Sequence, residues 1–120
     1  MFKISGWGNY PKINCKVETP SNENEIKFNE NEKIISRGLG RSYGDSSLQT
    51  NKTIITKNLN QIISFDEELG VICVQSGIPS DELLKTLIPK GWFLPVSPGT
   101  KFVTLGGMVA SDVHGKNHHL

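Results

Sequence analysis

The amino-acid sequence predicts an α+β fold, a small sheet with a β-hairpin and flanking helices. Three observations carry that expectation. Short β-branched runs stand at "KIIS" (33–36) and "KTIIT" (52–56), the composition of buried strands. In "QIISFDEELGVICVQSG" (61–77), two more such runs flank "DEELG", the pattern of a hairpin turned at a glycine. One clear amphipathic helix follows, and strands and helices do not alternate regularly, which argues against a doubly wound sheet.

Taken in order, the chain opens on "MFKISGWGNYPK", with a polar residue or glycine every few positions. It lacks the apolar segment of a signal peptide. The most polar stretch, "SNENEIKFNENEK" (21–33), reads as a solvated loop or as a short helix capped by Ser21, with Ile26 and Phe28 touching the body. The two strands and the hairpin come next, with Gly70 at the hairpin turn. In "PSDELLKTLIPKG", Leu83, Leu84, Leu87 and Ile88 recur at helical spacing. Asp81 and Glu82 occupy its first turn, and Pro89 and Gly91 stop it. "WFLPVSPGT" (92–100) predicts a short strand, and "TLGGMVASD" (104–112) a second short helix capped by Thr104.

Composition narrows the function. Thirteen basic and 12 acidic residues leave a net charge of +1, too little for a broad basic face that grips nucleic acid. A small anion held by a few local groups is compatible with it. Apolar runs are a few residues long, so no membrane span is expected. Cys15 and Cys73 match no CxxC or zinc spacing, and free thiols in a reducing compartment follow, with the cytoplasm as default.

The residues that carry chemistry sit in "IISRGLGRSYGDSS" (34–47). Glycines directly after a strand serve either a sharp surface turn or a loop whose backbone N–H groups converge on a phosphate. Gly38, Gly40 and Gly44 are spaced GxGxxxG, which is not the dinucleotide fingerprint, and no helix pattern follows. The Gly115–Lys116 pair lacks the other positions of a P-loop. A second glycine pair, Gly106–Gly107, falls in the first turn of the second predicted helix. It allows either a ligand reaching the helix N-terminus or a tight packing contact. Two such segments could clamp one extended phosphate ligand. His114, His118 and His119 cluster near the end without a partner glutamate or cysteine, so no metal site is expected. Trp7 and Trp92 each stand beside glycine and read as packing anchors rather than ligand stackers. GxSxG is absent, and with it a nucleophile elbow; an Asp45–His114 pair is conceivable.

"GWGNYP", "SRGLGRSYGDSSL" and "VSPGTKFVTLGGMVASDVHGKNHH", in that order, resemble the N-terminal part of FAD-linked oxidoreductases of the vanillyl-alcohol-oxidase/PCMH superfamily. Within it they are most similar to the decaprenylphosphoryl-β-D-ribose 2-oxidase group. The resemblance covers nearly the whole chain and implies residues 1–120 as a partial PCMH-type FAD-binding domain, with the substrate domain absent. It implies FAD as cofactor. The segment matching Arg37–Asp45, with Arg37, Gly38, Leu39, Gly40, Arg41, Ser42, Tyr43 and Gly44, would wrap its diphosphate through backbone N–H groups, Arg41, Ser42 and Tyr43 adding side-chain contacts. Pro98, Gly99 and Thr100 would run beside the cofactor, and Gly106 and Gly107 would approach the diphosphate and ribityl chain. Asp112, His114, Gly115 and Lys116 would lie toward the flavin ring, His114 and Lys116 nearest it; no catalytic residue is assigned. Relatives with covalent flavin often carry His where this chain has Arg41, so a dissociable FAD is expected.

The resemblance further implies hydride transfer from a sugar or polyprenyl-phosphate-linked sugar alcohol, with a reductase partner completing an epimerisation. Family members are several times longer. The chain alone is therefore expected to be inactive and to bind FAD weakly at most. A non-catalytic nucleotide- or phosphate-binding module is the alternative.

Overall fold

A computed structural model describes residues 2–95 and 102–111. The chain divides into two compact units, residues 1–59 and 60–120. The observed mixture of sheets and short helices is the α+β class the sequence predicts.

The first unit is built on one four-stranded sheet in the order β1-β2-β4-β3. Its strands are β1 (Phe2–Ser5), β2 (Lys12–Glu18), β3 (Ile34–Arg37) and β4 (Lys52–Ile55). β1 and β2 form an antiparallel hairpin with Ile4 opposite Ile13. β4 runs parallel to both neighbours, Val17 and Ile35 each pairing with Thr53. A strand flanked on both sides should be the most buried, and Lys52, Thr53 and Ile54 are all buried. Cys15, Leu48 and Leu59 complete the core.

β1 and β2 were not expected from the sequence, although Ile13, Cys15 and Val17 alternate with polar residues at the period of a strand. The 21–33 stretch is mostly loop. A single 3-10 turn, Glu23–Glu25, is capped by Asn22 rather than Ser21, its side chain accepting from the amide of Asn24 (3.0 Å). Ser21 instead donates its own amide to Glu25 (2.8 Å). Ile26 is half-buried as expected, but Phe28 is exposed.

β4 begins with a lysine in its buried run. The Lys52 ammonium lies 2.9 Å from Glu32 and 3.4 Å from Glu18, so the sheet takes in this charge only together with two carboxylates.

The second unit contains the predicted hairpin, β5 (Ile62–Asp66) and β6 (Val71–Val74), with Gly70 turning it at φ 66°. The side chain of Asp66 accepts the amides of Glu68 and Leu69, both at 3.0 Å, an Asx turn that explains the aspartate at this corner. α1 (Ser80–Leu87) follows. Leu83 and Leu87 bury against Ile78, with Phe65, Ile72, Val74, Leu94 and Leu105 around them.

Two elements differ from what the sequence predicts. Ile88 leaves the buried face, because the helix tightens into a 3-10 turn at Ile88–Lys90 and Ile88 is exposed. The described part of the predicted 92–100 strand, residues 92–95, is not a strand. The amide of Trp92 is spent on the carbonyl of Leu87 (3.0 Å) and that of Gly91 on Ile88 (3.0 Å), with Gly91 at φ 81°. Those two bonds and the left-handed glycine make a Schellman cap.

α2 (Leu105–Ala110) is the second predicted helix, and Thr104 caps it by accepting from the amide of Gly107 (3.1 Å). Its entry is fixed by a short antiparallel bridge. Ser80 donates to the carbonyl of Val103 (2.8 Å) and Leu105 to that of Ile78 (2.9 Å).

Candidate functional site

The glycine segment, residues 38–51, is the crossover between two neighbouring parallel strands, β3 and β4. Parallel strands cannot be joined by a tight turn, so this connection must leave the sheet and return. Here it does so without a helix. Its two ends are anchored in different ways. At the exit, the carbonyl of Arg37 accepts from both the amide (2.9 Å) and the hydroxyl (3.3 Å) of Thr56. At the return, Ser47 and Leu48 are buried, and the hydroxyl of buried Thr53 donates to the carbonyl of Gln49 (3.1 Å).

The two arginines of the motif take different roles. Arg37 folds back under its own loop, donating to Ser47 Oγ at 3.2 Å. Burial holds its guanidinium below its ordinary pKa, with Cys15 opposing that effect, yet arginine stays charged throughout the physiological range. A Cβ at Gly40 would come within 2.9 Å of the Arg37 guanidinium carbon, and Gly40 has φ 72°. Both the space and the backbone angle demand glycine there. Arg41 reaches the other way, its guanidinium 4.4 Å from the centre of the Trp7 ring.

Gly44 also adopts a left-handed angle, φ 61°, but nothing lies within 4 Å of where its Cβ would stand. Tyr43 beside it is exposed. The amides of Leu39, Gly40, Ser42, Tyr43 and Gly44 donate to no acceptor among the described residues. A loop with two left-handed glycines, amides that meet no acceptor among the described residues, and the Arg41 guanidinium has the group types that an anion-binding nest uses. Those features fit a diphosphate.

The second glycine pair behaves differently. In the first turn of α2, Leu105 donates to Ile78, Gly106 to the carbonyl of Ser76 (2.8 Å) and Gly107 to Thr104. A Cβ on Gly106 would lie 2.9 Å from Cβ of Ser76, so close backbone packing accounts for this glycine. Pro98, Gly99, Thr100, Asp112, His114, Gly115 and Lys116 lie outside the described residues, as do His118 and His119. Among the described residues, no group of His, Cys, Asp and Glu is placed to hold a metal. No described helix is long and apolar enough to cross a membrane. Both cysteines are free thiols, Cys15 buried and Cys73 exposed.

Of the tryptophans, Trp92 is the packing anchor the sequence suggests, its indole N–H donating to the carbonyl of Glu67 (2.9 Å). Trp7 is half exposed at 50% and stacks on Arg41 instead. Its role beside the loop could have been suspected from the two glycines that flank it.

Comparison with known proteins gives the class of the domain that carries this crossover. Residues 24–120 match the model of an FAD-binding domain family, and the chain belongs to that family, a domain of FAD-dependent oxidoreductases whose cofactor is FAD. Over 87 residues it is 45% identical to a decaprenylphosphoryl-β-D-ribose oxidase of Mycolicibacterium smegmatis, covering 72% of this chain and 19% of that protein. It is 37% identical over 57 residues to a D-lactate dehydrogenase of Anaerostipes hadrus, covering 48% of this chain and 12% of the relative. A solved alkyldihydroxyacetonephosphate synthase superposes with a TM-score of 0.69 at 26% identity, over 85% of this chain and 22% of that one. The chain thus spans about a fifth or less of the length of these relatives.

Proposed function

We propose that the Arg37–Asp45 loop holds the diphosphate of FAD, and that residues 1–120 are part of a longer flavin-dependent oxidoreductase. One observation carries the reading: the crossover from β3 to β4 has amides that meet no acceptor among the described residues, beside the Arg41 guanidinium, in a chain of an FAD-binding family. Arg41 supplies fixed charge, and Gly40 and Gly44 supply the backbone angles that bring N–H groups toward the phosphates. Arg37 keeps the loop's shape from beneath. When bound, FAD supplies the hydride acceptor for oxidation of an alcohol carbon; the protein's part is binding and orientation.

The oxidase among the relatives supports a sugar or polyprenyl-phosphate-linked sugar as the substrate. A reductase acting on the resulting ketone would then be a separate protein. Pro98, Gly99, Thr100, Gly106, Gly107, Asp112, His114, Gly115 and Lys116 enter the cofactor site from the resemblance alone. With Arg41 in place of the histidine of covalent relatives, the flavin is bound without a covalent link.

The test is a titration of the chain with FAD and, separately, with riboflavin, which lacks the phosphates. Saturable FAD binding that exceeds riboflavin binding, and that Arg41→Ala weakens, is the expected result. Equal affinity for the two flavins would remove the loop as a diphosphate site. Acid precipitation of the loaded protein should leave the yellow colour in the supernatant.

A further inference from the structure

The β1–β2 hairpin lies outside the family-matched segment 24–120, and yet its tip touches the backbone of the glycine loop at two places. The amide of Trp7 donates to the carbonyl of Ser42 at 2.7 Å. Gly6 backs onto the same stretch so closely that a Cβ there would lie 3.0 Å from the carbonyl oxygen of Ser42 and 3.3 Å from the amide nitrogen of Gly44. The tip itself is a closed turn, with the amide of Asn9 on the carbonyl of Gly6 (3.0 Å) and Asn9 at φ 62°. It is rooted in the sheet, since β2 pairs along β4 through Lys16, Val17 and Glu18.

We infer that this hairpin tip positions the loop for its anion, with Trp7 as a positioning residue that acts through Arg41. The inference rests on the diphosphate reading above and deepens it. Two physical effects combine. In a trans peptide the C=O and the following N–H point in opposite directions. The Ser42–Tyr43 bond is trans, as the cis bond among the described residues is Tyr10–Pro11. With the Ser42 carbonyl held against Trp7, the amide of Tyr43 is turned away from the hairpin. A carbonyl dipole that would repel a phosphate is thereby covered, and an N–H that attracts one is presented. Second, the indole face holds the Arg41 guanidinium at 4.4 Å. An arginine held in one place loses less freedom when it meets a phosphate than one that swings freely.

A double-mutant cycle read on two ligands tests this. FAD and riboflavin affinities are measured for the unmodified chain, Trp7→Ala, Trp7→Phe, Arg41→Ala and the Trp7→Ala/Arg41→Ala double variant. Trp7→Ala should weaken FAD binding about fivefold, the scale of an exposed cation–π contact with some added ordering, and leave riboflavin binding unchanged. Trp7→Phe should stay within about twofold of the unmodified chain, because its ring also has a π face. In the Arg41→Ala background, Trp7→Ala should have almost no further effect. Loss of FAD and riboflavin affinity in equal proportion, or full additivity of the two substitutions, would overturn the inference.

A second arm needs no flavin. In chain labelled with 5-fluorotryptophan, Arg41→Ala should shift the Trp7 fluorine resonance and leave that of Trp92 in place; an unmoved Trp7 resonance also overturns it. The two readings fail separately: absence of FAD binding by the unmodified chain sinks the diphosphate site, whereas the fluorine spectrum judges the Trp7–Arg41 pairing itself.

Discussion

Trp92 lies across the turn of the β5–β6 hairpin so that its ring fills the place a side chain on Gly70 would take. A Cβ on Gly70 would stand 2.6 Å from Cη2 of the indole, and the same indole donates its N–H to the carbonyl of Glu67. The hairpin turn and the end of α1 are therefore closed by one contact. Gly70→Ala is expected to destabilise the chain by about 3 kcal/mol, the sum of a left-handed alanine and a displaced ring. Urea unfolding followed by tryptophan fluorescence measures it, and a loss under about 1 kcal/mol would mean the ring gives way freely.

The two left-handed glycines of the crossover make a matched pair with different surroundings. Gly40 faces the Arg37 guanidinium, and Gly44 faces open space. Gly44→Ala should cost only the backbone term, about 1 kcal/mol. Gly40→Ala should cost about 2 kcal/mol or more, because Arg37 must also leave its bond to Ser47. Equal midpoints for the two variants in a denaturant titration would contradict this arrangement.

The ion cluster on β4 predicts a pH dependence. A hydrogen bond from Lys52, the main cause, holds the carboxyl of Glu32 below its ordinary 4.5 despite the opposing effect of desolvation. The folded chain then binds this proton less readily than the unfolded chain, so the interaction stabilises fully above pH 4.5 and fades as pH falls through the lowered value. Lys52 is raised above its ordinary 10.5, chiefly by its hydrogen bond to Glu32. Its contribution is complete below that pH and is lost as pH climbs through the raised value. The unmodified chain should exceed Glu32→Gln in urea midpoint at pH 7, and the gap should close with acidification. A gap that persists unchanged at pH 3 would count against the pairing.

Gly106→Ala is predicted to loosen α2 even without any ligand. The new methyl would meet Ser76 at 2.9 Å, and the bond from the Gly106 amide to the Ser76 carbonyl would lengthen. Hydrogen exchange at the Gly106 and Leu105 amides measures this directly, with faster exchange expected in the variant. Unchanged exchange would free this glycine for a purely ligand-directed explanation.

What could be read from the chain beforehand follows the range of the interactions. The β5–β6 hairpin, α1 and the Thr104 cap depend on neighbours a few residues away, and "DEELG", Leu83–Leu87 and "TLGG" declare them. The parallel pairing of β2 with β4 joins Val17 to Thr53, and no local pattern specifies a partner so distant. β2 itself was legible in the alternation of Ile13, Cys15 and Val17, although no element was expected there. For the candidate site, composition and spacing left the glycine loop open between a surface turn and a phosphate loop, and the family resemblance singled out the second. The split between Arg37 beneath the loop and Arg41 outside it was not legible, because both arginines flank glycines and only the turn of the chain separates them. The same limit applied to Gly106, whose neighbour Ser76 lies far away in sequence.

The direct passage of the crossover from one paired strand into the next has a thermodynamic consequence. With β3 and β4 hydrogen-bonded along Ile34–Arg37 and Lys52–Ile55, residues 38–51 are a closed circuit whose two terminals are fixed to the same ladder. An occupant of the circuit is thereby coupled to the ladder. By mass action, a ligand at a hundred times its dissociation constant adds about 2.7 kcal/mol against any opening that abolishes its binding. Parting the β3–β4 ladder frees both ends of the loop, so flavin held there as proposed should slow the exchange of amides at Thr53 and Ile54 that proceeds through that opening.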